Sequence, residues 1–164
     1  MLTFADGVGR FILHRFCGDE EFIIRTANIL AIREPDGISL WFEAETEGEC
    51  VKSLEDTATL RAWPKAEVCV NLKTFDPDKI VGQSFEVPAW NAETDDRLGM
   101  IYYVEHEVLR DNTVQILGRE GNVFWARWSG YTTDVNYYDG SKPDTRIEIE
   151  AKFTFKKMDK YLIP

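Results

Sequence analysis

The types of side chain that can bind small molecules or protein loops are concentrated in one stretch near the C-terminal end of the sequence. Residues 133–145 combine carboxylates, an amide, an ammonium group and two tyrosines, and a third tyrosine stands just before them. Flat aromatic faces beside Asn and Asp side chains can bind a sugar or a loop of a protein partner. We therefore predict a binding site made of Tyr131, Asp134, Asn136, Tyr137, Tyr138, Asp139 and Lys142.

The same stretch also has a structural interpretation. Its 13 residues connect two predicted strands, and a hairpin loop needs only about 2–5 residues. Tyr137 and Tyr138 can stabilise so long a loop by packing against the sheet. The dipeptide Asp139-Gly140 is typical of a turn. The oxygen-bearing side chains do not follow EF-hand spacing, so we predict no metal site there.

One of the two histidines lies between two glutamates, in the segment Glu105-His106-Glu107. A hydrolase that uses His106 with a carboxylate is therefore one hypothesis for the chemistry of this protein. On a strand, however, His106 shares a face with Val104 and Val108. That pattern predicts a buried or half-buried structural histidine, and we favour this interpretation.

Motifs for nucleotide, cofactor and metal chemistry are missing from the sequence. The glycines of Gly7-Val8-Gly9 are not followed by the rest of a phosphate-binding loop. The three cysteines, Cys17, Cys50 and Cys69, form no C-x-x-C pair. His14 stands three residues before Cys17, which places the two on opposite faces of a strand and disfavours a Cys–His dyad. We predict no cofactor, no metal and no catalytic residues.

Glutamates recur at every second position from Glu43 to Glu49. On a strand they would form a row of carboxylates on one face. The row can be a charged strand that resists aggregation, an acidic patch for a basic protein, or the carboxylate pair of a glycosidase. We give most weight to the first interpretation.

The elements that would position these residues are mainly β-strands. Residues 146–157 alternate between apolar and polar side chains, which is the pattern of a strand with one buried face. β-Forming residues between turn signals predict further strands over 100–109, 113–117 and 123–132. Short turns between these strands predict an antiparallel meander.

The N-terminal half is less regular but indicates the same class of fold. Segment 28–33 fits either a strand or a helix, and 53–61 is the best remaining helix candidate, with Ser53 as its cap. The whole pattern predicts a single domain over residues 1–164. Its fold class is mainly β, an antiparallel β-sandwich or flattened barrel with at most one or two short helices.

Within 123–132, small neighbours indicate which tryptophan faces the core. Ala126 and Gly130 permit close packing, so Trp128 is predicted to point inward. Trp125 and Arg127 would then lie on the outer face and could stack as a cation–π pair.

The charge balance limits the partners. The 164-residue chain has 19 Lys and Arg against 29 Asp and Glu, a net charge of −10. Such a surface repels nucleic acid and anionic membranes, and it can attract a basic partner. No secretion signal or membrane-spanning stretch is evident, and the cysteines are sparse, so we expect a cytoplasmic protein.

These observations favour a non-catalytic soluble module that binds a protein partner through an acidic, aromatic-bearing surface. One alternative is a small-molecule or carbohydrate-binding β-protein that uses the 131–142 loop. A second alternative is the hydrolase built on His106.

Overall fold

The computed structural model describes residues 8–55, 63–134 and 139–157, and only the backbone of 47–50 and 157. These residues contain ten strands and no helix. The strands are β1 (Gly9–Arg15), β2 (Gly18–Glu34), β3 (Gly37–Lys52), β4 (Lys65–Leu72), β5 (Ser84–Val87), β6 (Gly99–Tyr103), β7 (Glu105–Val108), β8 (Arg110–Glu120), β9 (Val123–Thr132) and β10 (Thr145–Lys157). The prediction of a mainly-β protein is confirmed.

All ten strands belong to one sheet, in the order β5-β8-β9-β10-β1-β2-β3-β4-β6-β7. Neighbours in this order are antiparallel, and residues 154–157 of β10 also pair in parallel with 28–31 of β2. In the described part of the chain no ladder joins β5 to β7, so the sheet is not a closed barrel. Segment 28–33 is therefore a strand. Of the helix candidate 53–61, residues 56–61 lie outside the described residues.

Alternation along β9 and β10 buries one face of each strand. Ile147, Ile149 and Phe153 are fully buried, as predicted, while Phe155 is half-buried and stacks on Phe75 with ring centroids 5.1 Å apart. Trp128 is also fully buried, so the predicted inward orientation is confirmed.

The predicted stacking of Trp125 on Arg127 is wrong. The amino group of Lys152 lies 5.7 Å from the centroid of the Trp125 ring. Arg127 instead donates to Glu150 at 2.8 Å. Register explains both contacts, because Lys152 is directly opposite Trp125 and Glu150 directly opposite Arg127 on the neighbouring strand.

The prediction of one strand over 100–109 is wrong. Val104 has a φ of 65°, which breaks the segment into the hairpin β6–β7. β6 pairs with β4 rather than with β8, so only β8, β9 and β10 form the predicted meander. His106 consequently lies on a short strand at the edge of the sheet, where it is exposed rather than buried or half-buried.

Residues 110–112, predicted to be a turn, form the irregular start of β8. Asn112 is fully buried, and its amide group donates to the carbonyl oxygens of Val87 and Leu109 at 3.1 and 3.0 Å. Its side-chain oxygen accepts a hydrogen bond from the Trp128 indole at 3.0 Å. Asn112 thereby satisfies three buried polar groups where the ladder shifts register.

The curvature of the sheet brings strands that are distant in the strand order together. The rings of Phe22 on β2 and Tyr103 on β6 are 5.7 Å apart at their centroids. The Tyr103 hydroxyl donates to Glu20 of β2 at 2.7 Å. One contiguous apolar core therefore lies inside the folded-over sheet, with polar side chains at one end. No helix of the described residues has the length and apolar character to cross a membrane.

Candidate functional site

The residues predicted to bind at 131–142 have different surroundings. Tyr131 is exposed on the outer face of β9, whereas Asp134 is fully buried. Asp139 and Lys142 are exposed, and the Lys142 amino group lies 5.4 Å from the centroid of the Phe16 ring. Three further predicted residues, Asn136, Tyr137 and Tyr138, lie outside the described residues. Binding at this stretch stays a prediction.

Asp139 has the turn role that the sequence indicated. The Ser141 backbone N–H donates to its carboxylate at 3.0 Å, and this hydrogen bond lowers the pKa of Asp139. Gly140 follows with a φ of 76°, a conformation that favours glycine.

Asp134 belongs to a buried ion-pair cluster of Arg15, Glu20, Glu55 and Asp134. The Arg15 guanidinium donates to both carboxylate oxygens of Asp134 at 2.9 Å. It also donates to Glu20 at 2.9 Å and to Glu55 at 2.7 Å. Burial lowers the pKa of Arg15, but the hydrogen bonds to its carboxylate partners outweigh burial and raise it. Arg15 thus stays charged.

The second carboxylate oxygen of Glu20 has partners too. One oxygen of Glu20 accepts from the Tyr103 hydroxyl at 2.7 Å, from the Ser53 hydroxyl at 3.0 Å and from the Leu54 backbone N–H at 2.9 Å. Burial and the bond to Glu20 raise the pKa of Tyr103. Such complete pairing is what a structural cluster requires.

A cavity beside Arg15 is too small for a ligand. It is lined in part by Tyr103 and Thr132 and has a volume of about 10 Å³, about the space of one water molecule. The Arg15 cluster therefore provides a structural role for Asp134.

His14 is not arranged as a general base. Its Nδ1 lies 3.0 Å from Asp19 and its Nε2 lies 3.1 Å from Glu148. The bond to His14, aided by Arg146, lowers the pKa of Glu148. Each ring nitrogen of His14 therefore lies beside a carboxylate, an arrangement that does not favour activation of Cys17.

The contacts of His106 within the described residues do not include those of a general base. Its ring lies 6.0 Å from the Tyr102 ring, and it makes no hydrogen bond to a carboxylate among the described residues. The Glu107 carboxylate accepts from the backbone N–H of Val108 at 2.9 Å.

Two members of the predicted row of glutamates, Glu43 and Glu45, lie on the outer face of β3. Glu43 stands directly opposite Glu67 of β4, and burial together with the Glu67 charge raises the pKa of Glu43. Glu45 pairs with Lys65 at 3.0 Å. The side chains of Glu47 and Glu49 lie outside the described residues.

A large concave surface lies farther along the same outer face. We call it the acidic groove; its volume is about 560 Å³, within the roughly 300–1,000 Å³ range of ligand sites. Its floor consists of outward-facing side chains of β3 and β4, namely Ser39, Trp41, Cys69 and Asn71.

One wall of the acidic groove is the β2–β3 hairpin. Glu34, Asp36 and Ile38 line the groove from this hairpin. Gly37 has a φ of 151°, and a Cβ at this position would come within 2.1 Å of the Leu72 carbonyl oxygen. Glycine at this position therefore lets the hairpin pack closely against the end of β4.

The opposite wall is residues 88–98, which we call the arm. Trp90 and Arg97 form an isolated antiparallel bridge, and the Arg97 guanidinium lies 5.6 Å from the centroid of the Trp90 ring. Between them the Asn91 carboxamide oxygen accepts from the backbone N–H groups of Glu93 and Thr94 at 2.9 and 3.3 Å. These contacts hold the arm together locally.

Negative charge dominates the acidic groove. Its lining contains one cationic side chain, that of Arg97, and four carboxylates. The carboxylates are those of Glu34, Asp36, Glu93 and Asp96. All four side chains are exposed. In the described part of the chain none of the four is ion-paired, and only Asp96 receives a side-chain hydrogen bond, from Thr94 at 2.7 Å.

Sequence reasoning did not find this groove. The Pro35-Asp36-Gly37 turn and the polar stretch 88–99 were both evident in the sequence. Their meeting on one face of β3 and β4 was not evident, because it depends on how distant segments pack.

Comparison with protein-family models, curated proteins and solved structures finds no match to this chain.

Proposed function

We propose that this protein is a non-catalytic binding module whose acidic groove takes a Lys- or Arg-rich segment of a protein partner. The observation that carries the proposal is the set of four exposed carboxylates around one groove, with Arg97 the single cation in its lining. Unpaired negative charge on both sides of a cleft concentrates the field inside it, and this attracts a positively charged ligand.

An aromatic side chain supplies the second part of the proposed surface. Trp41 is half-buried on the floor of the acidic groove. A tryptophan face attracts Lys and Arg side chains through cation–π contact as well as by apolar packing. A phosphate backbone, in contrast, would be repelled by the carboxylates, which disfavours nucleic acid as the partner.

The groove chemistry favours binding over catalysis. Burial raises the pKa of the Cys69 thiol to about 11, so this thiol is protonated and a poor nucleophile at neutral pH. Cys17 and Cys69 are free thiols, which fits the cytoplasmic setting that is part of this proposal.

Two charge-matched double variants test the proposal. The probe is a fluorescein-labelled octapeptide of alternating Lys and Gly, and its affinity is measured by fluorescence anisotropy. The groove variant is Glu34→Gln/Asp36→Asn; the control variant is Glu105→Gln/Glu120→Gln, whose exposed carboxylates lie outside the groove lining. Both variants change the net charge by the same amount, so long-range attraction is matched.

We expect the groove variant to bind the peptide about tenfold more weakly and the control variant to stay within about twofold of wild type. The difference should shrink at high salt because exposed charges are screened. Equal weakening in both variants would mean that the peptide responds to overall charge, and the proposal would fail.

A further inference from the structure

The orientation of one side chain indicates what kind of basic ligand the groove takes. Asn71 is an exposed residue near the end of β4, directly opposite Ser39 of β3. Its carboxamide oxygen accepts a hydrogen bond from the Ser39 hydroxyl at 2.8 Å. The Cys69 thiol donates to the same oxygen at 3.6 Å.

Both donors are buried side chains, which holds the carboxamide oxygen in place. Ser39 is 6% exposed and Cys69 is 2% exposed, whereas Asn71 is exposed. The thiol keeps its proton at neutral pH because burial raises its pKa to about 11. With its oxygen held by two donors, the carboxamide directs its Nδ2 group away from them, and Asn71 is itself one of the residues that line the acidic groove.

The Nδ2 group of Asn71 is available to a ligand. In the described part of the chain it donates no hydrogen bond, whereas the oxygen of the same carboxamide accepts two. A ligand that fills the groove next to Asn71 must therefore offer an acceptor, or it removes this donor from water without compensation.

The acidic groove thus combines two requirements on one ligand. The carboxylates of Glu34, Asp36 and Glu93 favour positive charge, whereas Asn71 requires a neutral acceptor close to that charge. A polyamine has positive charge but only donors. A peptide has both, because each main-chain carbonyl lies a few bonds from a Lys or Arg side chain.

We infer that the groove binds the main chain of a basic peptide, with Asn71 Nδ2 donating to a peptide carbonyl while the carboxylates bind the cationic side chains. This inference rests on the proposed function and adds to it the class of ligand and a specificity-determining residue. It separates peptides from free polyamines of the same charge.

Two trivalent probes and one matched pair of variants test the inference. The probes are an acetylated, amidated peptide with three Lys residues alternating with Gly, and spermidine. The variant is Asn71→Ala, and the control is Asn122→Ala, an exposed asparagine in the β8–β9 turn. Binding is measured by isothermal titration calorimetry, and circular dichroism checks that each variant is folded.

We expect Asn71→Ala to weaken peptide binding roughly five- to tenfold, the effect of losing one hydrogen bond, and to leave spermidine binding within about twofold. Asn122→Ala should change neither. In the NMR spectrum of the wild type, the Asn71 side-chain NH₂ signals should shift with the peptide and not with spermidine.

Each contrary result has a distinct meaning. Unchanged peptide binding in Asn71→Ala, with weakened binding in Glu34→Gln/Asp36→Asn, overturns the role of Asn71 and leaves the groove proposal standing. Equal weakening of peptide and spermidine overturns the distinction between the two ligands. A wild-type protein that binds neither probe overturns the proposed function itself, and the inference with it.

Discussion

Arg15 is an arginine for geometric reasons. Its side chain is 2% exposed, and it bonds in bidentate fashion to Asp134, an arrangement that suits a planar guanidinium and not an ammonium group. The remaining nitrogen, Nη1, donates to Glu20 and Glu55. Removing the guanidinium would leave carboxylates buried without their cation, which costs more than the net contribution of the intact cluster.

We therefore predict that Arg15→Met lowers the free energy of unfolding by about 3–5 kcal/mol. The control is Arg127→Met, which breaks the exposed pair with Glu150 and should cost about 1 kcal/mol or less. Urea denaturation followed by circular dichroism measures both. A loss at Arg15 no larger than that at Arg127 would show that the cluster contributes little to stability.

The sequence singled out one member of this cluster, Asp134, but as a binding residue rather than as the partner of Arg15. Asp134 attracted attention as an oxygen-bearing side chain near tyrosines, but nothing in its neighbourhood indicated that its partner is 119 residues away. Arg15 showed no signal in the sequence, since it follows His14 in an ordinary alternating strand. Asp139, in contrast, was assigned correctly to a turn, because its hydrogen bond to Ser141 is local.

At the scale of elements, β8 and β9 depend on a close approach around Asn112. A Cβ added at Gly130 of β9 would come within 2.4 Å of the Asn112 carboxamide oxygen. That oxygen accepts the Trp128 indole N–H. Gly118, a glycine of the neighbouring strand β8, has more space around it. A Cβ at Gly118 would meet only the Trp125 side chain, at an ordinary contact distance of 3.6 Å.

This contrast predicts opposite behaviour for two Gly→Ala substitutions. Gly130→Ala should lower the free energy of unfolding by about 2–3 kcal/mol, because Asn112 must shift and break buried hydrogen bonds. Gly118→Ala should be neutral or slightly stabilising, since alanine restricts the unfolded chain. Differential scanning calorimetry of the two variants tests this, and a similar loss in both would contradict the role of Asn112.

Periodicity was a reliable guide to elements where the backbone is regular. The alternation over residues 146–157 gave the burial of β10 correctly because a continuous strand has a strict period of two. The same reasoning failed over 100–109, where Val104 adopts a positive φ. A β-branched residue is a poor candidate for that conformation, so nothing local distinguished a hairpin from a strand.

At the scale of the whole molecule, the acidic groove forms only when three parts of the chain are in place. They are the hairpin at 34–38, the end of β4 and the arm at 88–98. Each was partly evident in the sequence as a turn, a strand or a polar loop. Their convergence depends on β2, β3 and β4 being neighbours in the sheet, and one sequence does not specify that order.

The core also extends through the whole molecule, which has a consequence for unfolding. One apolar cluster includes buried side chains from strands between β1 and β10, and the Arg15 cluster bonds β1 to β2 and to Asp134, two residues after the end of β9. Because one core and such cross-links connect the described strands, we expect the chain to unfold as a single cooperative unit; the single domain over residues 1–164 stays a prediction.

Labelling with 5-fluorotryptophan can test this cooperativity by ¹⁹F NMR. Trp41 is half-buried on β3, and Trp128 is fully buried on β9. The two signals therefore report on strands that are four positions apart in the strand order. We expect both native signals to disappear at the same urea concentration. Phe153→Ala, which removes a fully buried ring, should cost about 3–5 kcal/mol and lower both midpoints together. If the Trp41 signal were lost at a lower urea concentration than the Trp128 signal, β3 and the acidic groove would unfold separately from β9, and the chain would be two cooperative units rather than one.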